Sequence, residues 1–153
     1  MTFTYDCYGS TDAPPGRWFV LAIEGIKGRD NFGSIMRLAL NFGAASVHLI
    51  NHRFRRTSTD TTKVERHVPV VESDAIPRFI GATHVYVECT EGATDLRTFT
   101  HPKHAVYIFG PEDGSVVVPE GKRVVRIPTC GCTNIAVAVG ILLYDRMLKE
   151  KTP

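Results

Sequence analysis

The amino-acid sequence predicts an α/β domain built on a parallel sheet. Three observations carry that expectation. Short apolar or β-branched runs recur along the chain, and stretches of helical spacing separate several of them. The first run, residues 18–23 (WFVLAI), is apolar without alternation, the pattern of a strand covered on both faces.

In chain order, residues 1–16 end in TDAPPG and show no periodicity, so they read as a loose tail. After the first strand, GIKGRD gives a loop. Residues 31–43 (NFGSIMRLALNFG) place Ile35, Leu38, Ala39 and Phe42 at helical spacing and stop at Gly43. Residues 46–50 (SVHLI) form a second strand, residues 73–81 a short helical segment disturbed by Pro77, and residues 84–89 (HVYVEC) a third strand. A fourth, residues 105–109 (AVYIF), runs into GPEDGS, a turn that brings Glu112 and Asp113 to a sheet edge. A fifth strand, around Val124, Val125 and Ile127, stops at Pro128, which cannot donate a strand hydrogen bond. Beyond a small polar loop, Asn134 caps a helix that is apolar on every face from Ile135 to Tyr144, with Asp145, Arg146, Lys149 and Glu150 wetting its last turns. Such a helix needs cover on all sides, part of it from a second copy of the chain.

With 153 residues, 43% hydrophobic and 22% charged, the chain is long enough for one domain with a real core. The apolar run from Ile135 to Tyr144 is about half of the roughly 20 residues a bilayer-spanning helix needs. No basic-then-apolar leader opens the sequence, so the expectation is a cytoplasmic protein. Cys7, Cys89, Cys130 and Cys132 form no secreted framework, and Cys130 and Cys132 are too close for a structural zinc site; reduced thiols and no metal are expected. No G-x-G-x-x-G follows a strand, and Gly114 to Lys122 lacks P-loop spacing, with Arg123 where Ser or Thr is required.

The net charge is only +2, so any nucleic-acid surface must be local. Between His52 and His67, five cations (Arg53, Arg55, Arg56, Lys63, Arg66) face two carboxylates, a local excess of +3. Such a loop attracts phosphate through counterion release, and Phe54 among the arginines is placed to stack on a base; a merely solvated loop has the same composition. Arg37 lies one or two turns into the first helix, near the sheet edge where α/β folds bind ligands, although a solvated helix arginine reads the same way.

Three segments, NFGSIMR (31–37), YIFGPEDGS (107–115) and RIPTCGCTNIAVAVGILLYD (126–145), in that order and separation resemble the motifs of the SpoU branch of the SPOUT RNA methyltransferases, also called the TrmH family. The resemblance covers residues 18–148. It implies a parallel sheet flanked by helices with a C-terminal trefoil knot over residues 17–153, a homodimer through the C-terminal helix, S-adenosylmethionine as methyl donor, and methylation of a ribose 2′-hydroxyl in RNA, tRNA before rRNA. It also implies site residues: Arg37 at the ribose hydroxyl, held by a phosphate and by Asn31 or Glu112; Asn134 from the third motif; and Glu88, Gly110, Ile127 and Cys132 lining the cofactor pocket. Arg53, Arg55, Arg56, Lys63 and Arg66 supply the RNA contact. Cys132 stands where relatives usually have serine and is the poorer hydrogen-bond partner, so the protein either does without that hydroxyl or uses Thr133. The alternatives are a non-catalytic RNA-binding module that keeps the knotted fold, and a methyltransferase acting on a base or on a non-RNA acceptor.

Overall fold

The computed structural model of the chain describes residues 16–55 and 64–150. The tail expected over residues 1–16 therefore lies, save for Gly16, outside the described residues, as do Cys7, Arg56 and Lys63. Among the described residues, seven strands form one sheet: β1 (Trp18–Glu24), β2 (Val47–Ile50), β3 (Val70–Ser73), β4 (Thr83–Val87), β5 (Thr94–Asp95), β6 (His104–Phe109) and β7 (Arg123–Arg126). Their order is β3-β2-β1-β6-β4-β7-β5 and every pair is parallel. Two helices accompany them, α1 (Arg29–Phe42) and α2 (Ile135–Glu150). No described helix is long and apolar enough to cross a membrane.

Alternation along the central strands assigns the two faces. Phe19, Leu21 and Ile23 of β1, with Ala105, Tyr107 and Phe109 of β6, meet Ile35, Met36 and Ala39 of α1 and Val139, Leu142 and Leu143 of α2. Val20, Ala22, Val106 and Ile108 point the other way, to Tyr86 and Val116, with Trp18, Ile76 and Val118 around them. Both helices pack on the first face, and burial on both sides explains why β1 lacks a polar alternation.

The helix expected over residues 73–81 does not form. Ser73 ends β3, its hydroxyl bonds Ala75 O, and the Pro77 carbonyl accepts from the His84 ring instead of from a following helical amide. Proline also withholds its own donor. β3 and β5, short and on the rims of the sheet, carry too few residues for a legible period. By contrast α1 stops at Gly43, which sits in the left-handed region at φ 74° and returns its amide to the Ala39 and Leu40 carbonyls.

Arg146, expected in a wet last turn, is buried at 2% exposure. Its guanidinium donates to Pro102 O (2.8 Å), Tyr107 Oη (2.8 Å) and Lys103 O (3.2 Å), and pairs with Glu150 at 2.7 Å, which also holds Arg17. His101 joins this cluster between Tyr107 Oη (2.6 Å) and Asp145 (2.8 Å). The group fastens the C-terminal end of α2 to the start of β6. Burial pushes the Tyr107 hydroxyl up to about 12. Burial also lowers His101 below its ordinary value, outweighing the raising effect of the Asp145 contact.

A histidine held neutral in the fold and free to protonate when unfolded stabilises the protein above its unfolded pKa and loses that contribution as pH falls. The midpoint of thermal unfolding is therefore expected to fall as pH drops below about 6.5. His101→Gln should flatten that fall in scanning calorimetry, leaving the contribution of His48, which burial also lowers.

Candidate functional site

Because all strands run the same way, their C-terminal ends deliver four loops to one edge: residues 25–28 after β1, 88–89 after β4, 110–115 after β6 and 127–134 after β7. Glu112 gathers three of these connections. Its Oε2 accepts the backbone amides of Lys27 (2.9 Å) and Gly28 (3.1 Å), and its Oε1 accepts the Asn31 side-chain amide at the first turn of α1. Asn31 Oδ1 in turn accepts from Asn134 Nδ2 at 3.0 Å, while Asn134 Oδ1 caps α2 by accepting from Ala136 N (2.9 Å) and Val137 N (3.3 Å). A side chain from each of the three motif segments thus enters one hydrogen-bonded row. Partial burial pushes the Glu112 carboxyl up, but the Lys27 amide, the Asn31 side chain and the Gly28 amide outweigh it and hold the group below its ordinary value.

Beside this row lies a cavity of ≈ 280 Å³. Val87, Phe109, Ile127, Ile135 and Ala138 give it apolar walls, and Glu88, Glu112, Thr129, Thr133 and Asn134 give it polar ones. Of the residues expected to line a cofactor pocket, Glu88, Gly110, Ile127 and Cys132 all stand in this wall. Gly110 is required sterically, because a Cβ there would come within 2.6 Å of Val116 N. Glu88 is engaged with the protein itself, accepting from Cys89 N (2.9 Å) and Val116 N (3.1 Å). Cys89 and Cys132 open onto the cavity as free, exposed thiols, and Cys130 is likewise free. Among the described residues, no group of three or more His, Cys, Asp or Glu is arranged to hold a metal.

Arg37 departs from the expected arrangement. It lies on the exposed side of α1, outside the cavity wall, and makes no ion pair or hydrogen bond among the described residues. Asn31 and Glu112, expected to hold it, hold each other instead. The basic loop also changes meaning. Arg53 is taken up by Asp113 and by Gly25 O (3.0 Å), and Asp113 also pairs with Lys27. These hydrogen bonds, Arg53 first and Lys27 second, hold the Asp113 carboxyl well below the usual carboxylate range. Phe54 is half-buried and packs against Phe32 and His52 at the edge of the core. Arg55 and Arg66 are exposed. Sequence reasoning missed the two amides that hold Glu112. Their only signal is the glycine-rich GIKG after β1, where a Cβ on Gly28 would stand 3.4 Å from both Glu112 Oε1 and Asn31 Nδ2.

The family model described as the SpoU rRNA Methylase family matches residues 18–144. An uncharacterized tRNA/rRNA methyltransferase of Archaeoglobus fulgidus is 28% identical over 143 residues, 84% of this chain and 64% of the relative. An AdoMet-bound rRNA methyltransferase structure from Sinorhizobium meliloti, 22% identical, superposes with a TM-score of 0.68 over 89% of this chain and 58% of that one. A structure solved for insight into the 2-OH methylation of C/U34 on tRNA, 24% identical, superposes with a TM-score of 0.71 over 88% of this chain and 97% of that one. The chain thus spans less than two thirds of the first two and nearly the whole of the third.

Replacing Gly110 by alanine is expected to destabilise the protein by roughly 1–3 kcal/mol in urea unfolding, since the clash is with backbone that cannot rotate away.

Proposed function

The chain belongs to the SpoU rRNA Methylase family, and from that premise we propose that it is an S-adenosylmethionine-dependent RNA methyltransferase that modifies a ribose 2′-hydroxyl, in tRNA rather than rRNA. The observation that carries this reading is the Glu112–Asn31–Asn134 row, which joins the three motif segments at the mouth of one cavity. The cofactor is supported by the walls. Apolar Val87, Phe109, Ile127 and Ala138 suit an adenine ring, and the polar rim suits ribose hydroxyls and an amino-acid tail. When bound, the donor supplies an electrophilic methyl group on a sulfonium. The tRNA preference is supported by the relative of similar length, whose subject is tRNA. A trefoil threading of the C-terminal segment belongs to the same proposal, as does a cytoplasmic setting.

The protein's own task is then alignment and proton handling. Holding acceptor and donor in one pocket supplies about 7–11 kcal/mol of a barrier in favourable cases. A guanidinium with a pKa above about 12 is a poor base at neutral pH. Arg37 is therefore proposed to orient the acceptor hydroxyl with its N–H donors and to help relay the released proton to solvent, not to hold it. Its lack of an ion pair or hydrogen bond among the described residues supports a role filled by RNA. The Glu112–Asn31–Asn134 row keeps the loops in register, and Arg55, Arg66, Arg56 and Lys63 are proposed to meet the RNA backbone. Arg37→Ala should lower methyl transfer by about 100-fold or more while S-adenosylhomocysteine affinity in calorimetry barely moves. A loss under about tenfold would remove Arg37 from the mechanism. Nucleoside mass spectrometry on RNA from cells with and without the protein identifies the acceptor.

A homodimer is proposed through α2. Val137, Ile141, Tyr144 and Leu148 recur at helical spacing and are 37–53% exposed, and the last three border an apolar groove of ≈ 510 Å³ with Leu96 and Ile127. Sedimentation should give a dimer at micromolar concentration, and Tyr144→Glu should give a folded monomer.

A further inference from the structure

At the lip of the cavity, two cations converge on one carboxylate. Asp113 Oδ1 accepts from Arg53 Nη2 at 2.5 Å, and Oδ2 accepts from Arg53 Nη1 at 3.2 Å and pairs with Lys27 Nζ at 2.5 Å. Arg53 Nε donates to Gly25 O, which fixes the plane of the guanidinium. The loops can approach this closely because Gly25 has φ +61° and a Cβ there would stand 3.0 Å from Pro111 Cβ. Pro111, Glu112 and Gly114, which flank Asp113 in sequence, all line the cavity. The three charged side chains are nearly half exposed, 46%, 43% and 48% for Lys27, Arg53 and Asp113. Ion pairs that wet stabilise little and exchange readily.

The shape of the contact matters more than its strength. An arginine fork closed on the two oxygens of a carboxylate has the geometry with which it closes on two oxygens of a phosphodiester, and a lysine adds a point charge to either. We propose that Asp113 is an intramolecular stand-in for an RNA phosphate. Lys27 and Arg53 form the seat for a phosphodiester beside the nucleotide that enters the cavity, and the Asp113 carboxylate leaves that seat when the strand arrives. The tethered carboxylate keeps both cations aimed while RNA is absent. It yields to a polyanion because RNA binding also releases condensed counterions. This assignment rests on the RNA methyltransferase reading and gives it a specific phosphate contact that the basic loop alone does not define.

The test is binding of unfractionated tRNA by fluorescence anisotropy across a salt series, with S-adenosylhomocysteine calorimetry on each protein. Arg53→Ala should reduce the slope of log affinity against log salt by about 1. Asp113→Asn should bind tRNA about three- to fivefold tighter, and that gain should vanish when Lys27→Ala and Arg53→Ala are both added. A general charge effect would survive in that combined variant and overturn the proposal, as would Asp113→Asn binding no tighter than wild type. Wild-type protein that binds tRNA but gives no heat with S-adenosylhomocysteine would instead sink the methyltransferase reading, while the Asp113 comparison still decides the seat.

Discussion

One carboxylate organises the functional edge of this protein. Glu112 accepts two backbone amides from the loop after β1 and the Asn31 side chain from α1, and through Asn31 it reaches the cap of α2. Each loop alone would be free to move, since loops at a sheet edge carry few backbone partners of their own. Tying them to one anion turns separate turns into a wall. A glutamine would keep only one acceptor oxygen, and with that oxygen turned to the Lys27 and Gly28 amides its NH2 would meet the Asn31 amide donor to donor. The depressed pKa of Glu112 follows from the same fact, because the fold solvates the charged form better than the neutral one.

What could be read from residues alone divides along physical lines. Continuous apolar runs marked β1 and β6 because both of their faces are buried, and Gly43 marked the end of α1 because only a glycine rests easily at its φ. Asn134 was legible as a cap, and Glu88, Gly110, Ile127 and Cys132 fell in one wall because the motif order carries strand-end positions with it. Arg146 was not legible: besides Glu150 one turn on, its partners are carbonyls and a tyrosine far along the chain, and an arginine–glutamate pair one turn apart reads the same buried or wet. The same holds for Arg53, whose partner Asp113 is sixty residues away. Pro77 pointed to a disturbed helix where the chain in fact makes no helix, because sheet packing of Ile76 and the His84 contact decide that stretch.

α2 is held at both ends by unlike means. Its first turn is capped by Asn134, a short polar contact at the cavity, and its last is fastened by the buried Arg146, Tyr107 and His101 group. Between them Val139, Leu142 and Leu143 supply the burial that fixes its rotation, while the opposite stripe stays open. A helix pinned in this way presents that stripe with a fixed pitch, so whatever packs there meets a rigid template.

The two clusters of polar contacts sit at opposite poles of the sheet: Glu112 at the strand ends, His101 and Arg146 at the strand beginnings. They share no side chain, and energetic effects at sites without common partners usually add. Adaptation to heat or acidity therefore has a place to act that leaves the cavity edge alone, and change at the cavity edge has another that leaves robustness alone. One sheet thus gives two properties separate room to drift.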